Sequence, residues 1–502
     1  MQKLFKQILT SKVYEAAVET PLEESAFLSQ LLNNRVLLKR EDLQPVFSFK
    51  IRGAYNRVAS LSESERALGI ITASAGNHAQ GVAFAGQKLG IDTTIVMPVT
   101  TPAIKVSAVK SYGARVVLFG DNYSAAAEHC ADLVSQSGMV FIPPFDDELV
   151  IAGQGTIGDE LLRQSAGRID AVFVPVGGGG LLAGVSVFLK ELLPDIKVIG
   201  VEPVDSDAMA RSLAAGKRVK LDSVGIFADG VAVREVGKLT FDICRRHVDE
   251  IILVDVDEIC SAVKSVYQAT RSIVEPAGAL AVAGLKKYVR ERKVSGQTLV
   301  AINSGANMNF DRLRYVAERT LIGEKQEALF AVTIPEKPGS LFRFCREVVG
   351  DRNITEFNYR LSGRESAYIF VGVAIDGDDK RLAFRKQLTE QGFENIDLTD
   401  NELAKTHVRY MVGGRSPDVH GERLFRFWFP ERPGALARFL ASMGADWNIS
   451  LFHYRIQGGD FGRVLVGLEI PQGQEKQLQS FLESLGYRYV EETENQAYQL
   501  FL

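Results

Sequence analysis

DAVFVPVGGGGLLAGVSVFLKELL, residues 170–193, decides the fold of this 502-residue chain. An apolar, β-branched run enters four consecutive glycines, and an apolar segment of helical length follows. That is a strand, a glycine loop and a helix, the unit from which parallel sheets covered by helices are built. With no Cβ at Gly177, Gly178, Gly179 or Gly180, consecutive backbone N–H groups can converge on one anion. The helix N-terminus adds partial positive charge, which suits a phosphate.

The same grammar extends on both sides. ITASAGNHAQGVAFAGQKLG (71–90), TTIVMPV (93–99), ARVVLFG (114–120) and KVIGVEP (197–203) read as short buried strands alternating with helices. In such folds ligands bind beyond the carboxyl ends of the strands, so the chemistry belongs to the loops that follow them. Three of these loops stand out. Thr72 to His78 puts small polar residues at a helix start, where N–H groups and a hydroxyl suit a carboxylate. Asn303-Ser304-Gly305-Ala306-Asn307 follows the strand TLVAI. Lys50 sits between Phe49 and Ile51, where desolvation would free its amine for Schiff-base chemistry, although on this fragment alone snorkelling from a half-buried helix is the commoner account of such a lysine. Gly178-x-Gly180-x-x-Ala183 with Glu202 also fits the loose dinucleotide fingerprint, so a nicotinamide enzyme competes on this segment. Glu202 reads otherwise as a structural cap or as a cation ligand.

The second half has another grammar. LFAVTIPEKPGSLFRF from Leu329 matches LFRFWFPERPGALARF from Leu424, and the gapless match runs to Ile375 and Ile470. Of its 47 aligned pairs, 19 are identical, which marks an internal duplication. Each copy reads strand, helix, strand, strand, helix, strand. The expected organisation is a catalytic region over 1–320 with a smaller lobe at about 40–150, a hinge at 321–328, repeats at 329–400 and 423–502, and a connector at 401–422. No close set of nucleophile, base and acid lies in the repeats, so a paired ligand-binding module is the expectation.

Composition narrows the class. Hydrophobic residues make up 46% and charged residues 24%, and the net charge is 58 − 62 = −4. Such a balance gives no global reason to bind nucleic acid or an anionic membrane. The four cysteines form no CxxC pair, and the start MQKLFKQILTSKVYEAA lacks a continuous apolar stretch. A cytoplasmic location without disulfides or a metal site is therefore expected.

KREDLQPVFSFKIRGAYN, TASAGNHAQGVA, PPFDD, AGQGT, VPVGGGGLLAG, EPAGALA and SGANMNF, in that order, resemble the fold-type II pyridoxal-phosphate enzymes, and among them the biosynthetic threonine dehydratases. The repeats resemble that family's ACT-like regulatory region. The resemblance implies a two-lobed α/β fold, parallel sheets covered by helices, followed by two tandem α+β ACT-like βαββαβ units. It implies that Lys50 binds pyridoxal 5′-phosphate and shuttles the Cα proton. Gly177 to Gly180 and Leu181 would hold the phosphate, Asn77 the 3-hydroxyl and Ser304 the pyridine nitrogen. Ser74, Gly76, Asn77 and His78 would surround the substrate carboxylate, with Glu275 a further candidate acid. The implied reaction turns L-threonine, and L-serine secondarily, into a 2-oxo acid and ammonia. Isoleucine, with valine as a candidate opposing effector, would act through Gly339, Asn353, Ile354, Gly434, Asn448 and Ile449, in a homotetramer. A β-replacement or threonine synthase reaction, or an amino-acid sensor with a silent catalytic half, are the rival readings.

Overall fold

The computed structural model describes the chain apart from residues 1, 336–343, 345–346, 349–351, 353, 361–365, 411–420, 431–447, 456–460 and 502. It divides into two units, Met1–Leu313 and Arg314–Leu502.

The first unit contains two sheets. Strands β1 (Leu22–Glu24), β2 (Arg35–Arg40), β7 (Ala171–Pro175), β8 (Lys197–Pro203), β9 (Glu250–Val254) and β10 (Thr298–Asn303) form a six-stranded sheet in the order β1-β2-β10-β7-β8-β9. All its pairings are parallel except the edge pair β1–β2. Strands β3 (Ile70–Ala73), β4 (Thr93–Met97), β5 (Arg115–Leu118) and β6 (Val140–Phe141) form a smaller, wholly parallel sheet in the order β5-β4-β3-β6. Every residue of β3, β4 and β7 is buried, as strands covered by helices on both faces must be.

The helix Lys50–Ala59 lies against the long helix Glu148–Gln164 at glycine-close range. A Cβ on Gly153 would fall 2.6 Å from the Arg52 carbonyl oxygen, so a side chain there would drive the helices apart. Beneath this contact lies a fully buried ion cluster. Arg52 donates to both oxygens of Glu41, each at 2.7 Å, and to both oxygens of Glu160, at 2.5 and 2.9 Å. Lys39 Nζ donates to Glu160 at 2.5 Å. Two cations meet two carboxylates, so no net charge is buried. Burial pushes Glu160 upward, but Arg52 and Lys39 override it and hold the carboxylate below its ordinary range.

The second unit holds two antiparallel sheets of matching design. Strands β11 (Glu327–Pro335), β12 (Ile354–Arg360), β13 (Ser366–Ala374) and β14 (Asn395–Asp397) run in the order β12-β13-β11-β14. Strands β15 (Glu422–Pro430), β16 (Asn448–Arg455), β17 (Phe461–Glu469) and β18 (Tyr489–Glu491) repeat it as β16-β17-β15-β18. Alternation assigns the faces. Phe330 and Val332 pack with Phe384 and Leu388 of the helix Asp378–Glu390, and Phe425 and Phe427 with Leu478 and Phe481 of the helix Glu475–Leu485. The opposite faces share one core, in which Leu329, Ala331 and Phe370 meet Leu424 and Leu465. Phe501, in the last helix Gln496–Phe501, packs edge-to-face on Phe370 at 5.6 Å.

The stretch 321–328 holds only a short irregular segment. The helix Arg312–Gly323 occupies its start and β11 its end, leaving a turn at 324–326 in which Lys325 has φ +57°. Among the described residues no helix is long and apolar enough to cross a membrane.

Candidate active site

Lys50 opens its helix after a strained turn. Phe47 has φ +54°, a conformation that L side chains rarely adopt, and two backbone bonds stitch the turn to the loop after β10. Ala306 N donates to Phe47 O at 2.8 Å and Phe49 N to Ser304 O at 3.1 Å. The segments carrying Lys50 and Ser304 are thereby fixed to each other. Lys50 Nζ donates to the Pro144 carbonyl oxygen at 2.9 Å. Desolvation pushes this amine down to about 8, against the opposing pull of the Glu275 carboxyl.

Pro144 belongs to the loop after β6, and its neighbour Phe145 covers the glycine loop. A Cβ on Gly178 would lie 2.2–2.4 Å from the Phe145 ring, and Gly179 adopts φ +96°, so neither position admits a side chain without movement. Gly179 is the N-cap of the helix Gly180–Leu192, which has no side-chain cap. The first N–H groups of that helix, Gly180 and Leu181 included, therefore open towards a ligand. Asp146 holds the loop from outside. It accepts from the backbone N–H groups of Lys238, Leu239 and Thr240, while Thr240 Oγ1 donates to Gly178 O at 2.6 Å.

The loop after β3 gives the second uncapped helix start. Gly76 precedes the helix Asn77–Leu89, no side chain caps it, and a Cβ on Gly76 would meet nothing within 4 Å. Ser74 Oγ accepts from Gly76 N at 3.3 Å. His78 is buried, with Nε2 turned to the Ile142 carbonyl at 2.9 Å. Burial, and next the charge of Lys50, push it down to about 3, which leaves the ring neutral. Asn77 joins three segments: its nitrogen donates to Glu275 at 2.5 Å and its oxygen accepts from Asn307 at 2.8 Å. Ser304 Oγ donates to Ala277 O at 3.3 Å and is buried.

Glu275 is pushed up to about 7, first by burial and then by the charge of Asp229. Asp229 itself is held well below the carboxylate range: burial pushes it upward, but Arg312 and Lys105 outweigh that. Their nitrogens lie 3.1 and 2.6 Å from its oxygens.

Lys50 and the loops carrying Ser74 to His78, Gly177 to Leu181 and Ser304 thus all follow carboxyl ends of parallel strands. Glu202 does not join them. Both its oxygens accept N–H groups of the helix Ala208–Ala215, from Met209 at 2.9 Å and Ala210 at 2.8 Å. Its carboxylate caps that helix start, which is the structural reading of Glu202. Gly339, Asn353 and Gly434 lie outside the described residues. Ile354 begins β12, and Asn448 and Ile449 begin β16, where the pairing register shifts at Ile354/Glu356 and at the matching Ile449/Leu451. The sequence reading missed Asp146, Thr240 and Asp229. The aspartate of PPFDD was a usable signal, since it follows a strand end.

A monoanionic or dianionic phosphate, a carboxylate and an aldehyde all find partners here: two uncapped helix starts and one near-neutral lysine amine. That donor set fits pyridoxal phosphate bound beside an amino acid.

Comparison with known proteins agrees. A family model described as pyridoxal-phosphate dependent enzyme matches residues 13–305. One described as the C-terminal regulatory domain of threonine dehydratase matches twice, at 318–408 and 413–502. The chain is 56% identical to L-threonine dehydratase biosynthetic IlvA of Burkholderia multivorans over 99% of its own length and 98% of the relative's. With the Escherichia coli protein of that name the identity is 51%, over 99% and 96%. A solved structure of the processed form of threonine deaminase isoform 2 from Solanum lycopersicum matches with TM-score 0.62 and 51% identity, covering 63% of this chain and 87% of that one. With its glycine-loop lobes and its duplicated tail, the chain belongs to the biosynthetic threonine dehydratase family of pyridoxal-phosphate-dependent enzymes.

Proposed function

We propose that the chain dehydrates and deaminates L-threonine, and L-serine less well, giving 2-oxobutanoate and ammonia from threonine as the entry to isoleucine synthesis. One observation carries the reading: the desolvated Lys50 amine is bonded to Pro144, whose neighbour Phe145 packs on the loop before one uncapped helix start, and its charge acts on His78 in the other. When bound, pyridoxal phosphate supplies the electron sink that acidifies the Cα–H bond and favours loss of the β-hydroxyl.

The chain's own residues do the rest. Lys50 attaches the cofactor and afterwards takes the proton from substrate Cα, for which a pKa near neutrality is suited. The N–H groups of the Gly177–Gly180 loop and Leu181 bind the phosphate. Ser74, Gly76 and Asn77 bind the substrate carboxylate, and His78, neutral and tied to Ile142, contributes through its backbone. Ser304 is an uncharged partner for the ring nitrogen, so it does not enforce ring protonation as a carboxylate would. That favours prompt elimination over storage of charge in the ring.

The repeats serve as the effector module. We assign isoleucine, opposed by valine, to the region of Gly339, Asn353 and Ile354 in one repeat and Gly434, Asn448 and Ile449 in the other. The matching register shifts in β12 and β16 support this, because such bulges re-aim backbone groups beside binding sites. A cytoplasmic homotetramer completes the reading.

The test is reduction with borohydride followed by peptide mapping, together with turnover of threonine alone. Label on Lys50 and release of 2-oxobutanoate support the proposal. A colourless protein without label overturns it. Label on Lys50 without 2-oxobutanoate from threonine, but with activity once a second nucleophile is supplied, points instead to β-replacement.

A further inference from the structure

A primary amide has two ends of nearly equal size and opposite chemistry, so the value of Asn77 depends on which end faces the ligand. The surrounding groups decide it. The backbone oxygen of Val46 accepts and cannot donate. The Asn307 atom 2.9 Å from it is therefore the side-chain nitrogen. That nitrogen also stands 2.8 Å from the Asn77 side chain, which makes the Asn77 atom there the oxygen. The Asn77 nitrogen is thereby turned to Glu275 Oε1, 2.5 Å away. Glu275 takes one of its two hydrogens, and the second N–H is left to offer.

Glu275 is placed to accept from Asn77. It sits at the N-cap of the helix Pro276–Arg292 yet makes no side-chain cap bond to it. Gly305 keeps the space open, since a Cβ there would lie 2.6 Å from Glu275 Oε1 and 3.3 Å from the Asn77 nitrogen.

We propose that Asn307 and Glu275 are positioning residues that lock the Asn77 amide in one orientation, keeping an N–H available to the ring oxygen of the bound cofactor. The inference rests on the reading of Asn77 as the partner of that oxygen. A flipped amide would set oxygen against oxygen and replace attraction by repulsion. The lock runs through a backbone carbonyl and two side chains from three separate segments, so it forms only when all three are in place.

Asn307→Asp inverts the lock, because a carboxylate cannot donate to Val46 or to Asn77 and draws the Asn77 nitrogen to itself. Its pyridoxal phosphate dissociation constant, measured by equilibrium dialysis, should rise roughly tenfold or more, the effect of losing one hydrogen bond to a charged group. The visible absorption of the bound cofactor should change with it, since ionisation of the ring oxygen loses its donor, while the thermal midpoint of the cofactor-free protein stays near wild type. Glu275→Gln, whose amide oxygen still accepts from Asn77, should lose far less affinity than Asn307→Asp, its remaining effect being the lost pull of the carboxyl on Lys50. Should Asn307→Asp fail to fold, Asn307→Ala reads the same quantities in the same direction. Wild-type affinity and spectrum in the Asn307 variants overturn the inference, as does an equal loss in Glu275→Gln. Wild-type protein that captures no cofactor at Lys50 overturns the functional reading instead.

Discussion

Arg319 grips Glu402 through a two-pronged ion pair, each guanidinium nitrogen 3.0 Å from its own carboxylate oxygen. Arg319 lies on the helix Arg312–Gly323, within which the two units of the chain divide, and Glu402 follows the first repeat. Arg463 of β17, in the second repeat, binds the same carboxylate. One acid thus ties together the helix leading into the tail and both repeats. Glu402→Gln should leave threonine turnover intact, weaken isoleucine inhibition, and lower the stability of the second unit by about 1–2 kcal/mol. Burial pushes this acid upward, but Arg319 and Arg463 prevail and hold it well below its ordinary range. Its stabilising contribution is therefore complete above pH 4.5 and lost as pH falls below that, and chemical denaturation against pH should show a steeper acid loss in wild type than in Glu402→Gln.

Lys50 predicts a pH profile of the same sense in a more alkaline window. Its folded pKa, about 8, lies below the ordinary 10.5, so the unfolded chain binds the extra proton between those values and stability gains from this group as pH rises through them. Free amine accumulates above pH 8 as well. The rate at which cofactor-free protein captures pyridoxal phosphate should rise to half its maximum near pH 8. Lys50→Ala should lose threonine turnover by about 10³-fold or more while remaining folded.

Arg52→Met tests the buried ion cluster. It strands Glu41 and part of Glu160 without a cation in a site that no water reaches, and breaking such a pair costs about 3–5 kcal/mol. Urea denaturation should show a midpoint shift of that size. Because Arg52 lies two residues beyond Lys50, cofactor affinity should fall with it. An undiminished midpoint would mean that the cluster is held by other contacts.

Gly178→Ala tests the close approach of Phe145. The added methyl overlaps the ring, and overpacking of that kind costs about 1–3 kcal/mol. Cofactor affinity, measured by dialysis, should drop tenfold or more, and Phe145→Leu in the same chain should recover part of it.

The lobes, the duplication and the ligand loops were legible in the sequence because each is a local pattern. Glycine runs, β-branched strands and a 95-residue offset need no partner to be seen. Arg52, Lys39, Glu41 and Glu160 were not legible, since each reads as an ordinary surface charge until segments over 100 residues apart converge on it. The orientation of Asn77 was hidden for the same reason: it is set by Glu275 and Asn307, which only the folded chain brings near.

The core shared by Leu329, Phe370, Leu424 and Leu465 gives the duplication a meaning of its own. Neither sheet owns a complete interior, so one repeat alone would need a second copy of itself to cover its open face. Joined in one chain, the pair is a dimer whose halves are separate stretches of gene. A symmetric dimer is condemned to two identical sites. This one is free to let its two faces drift apart.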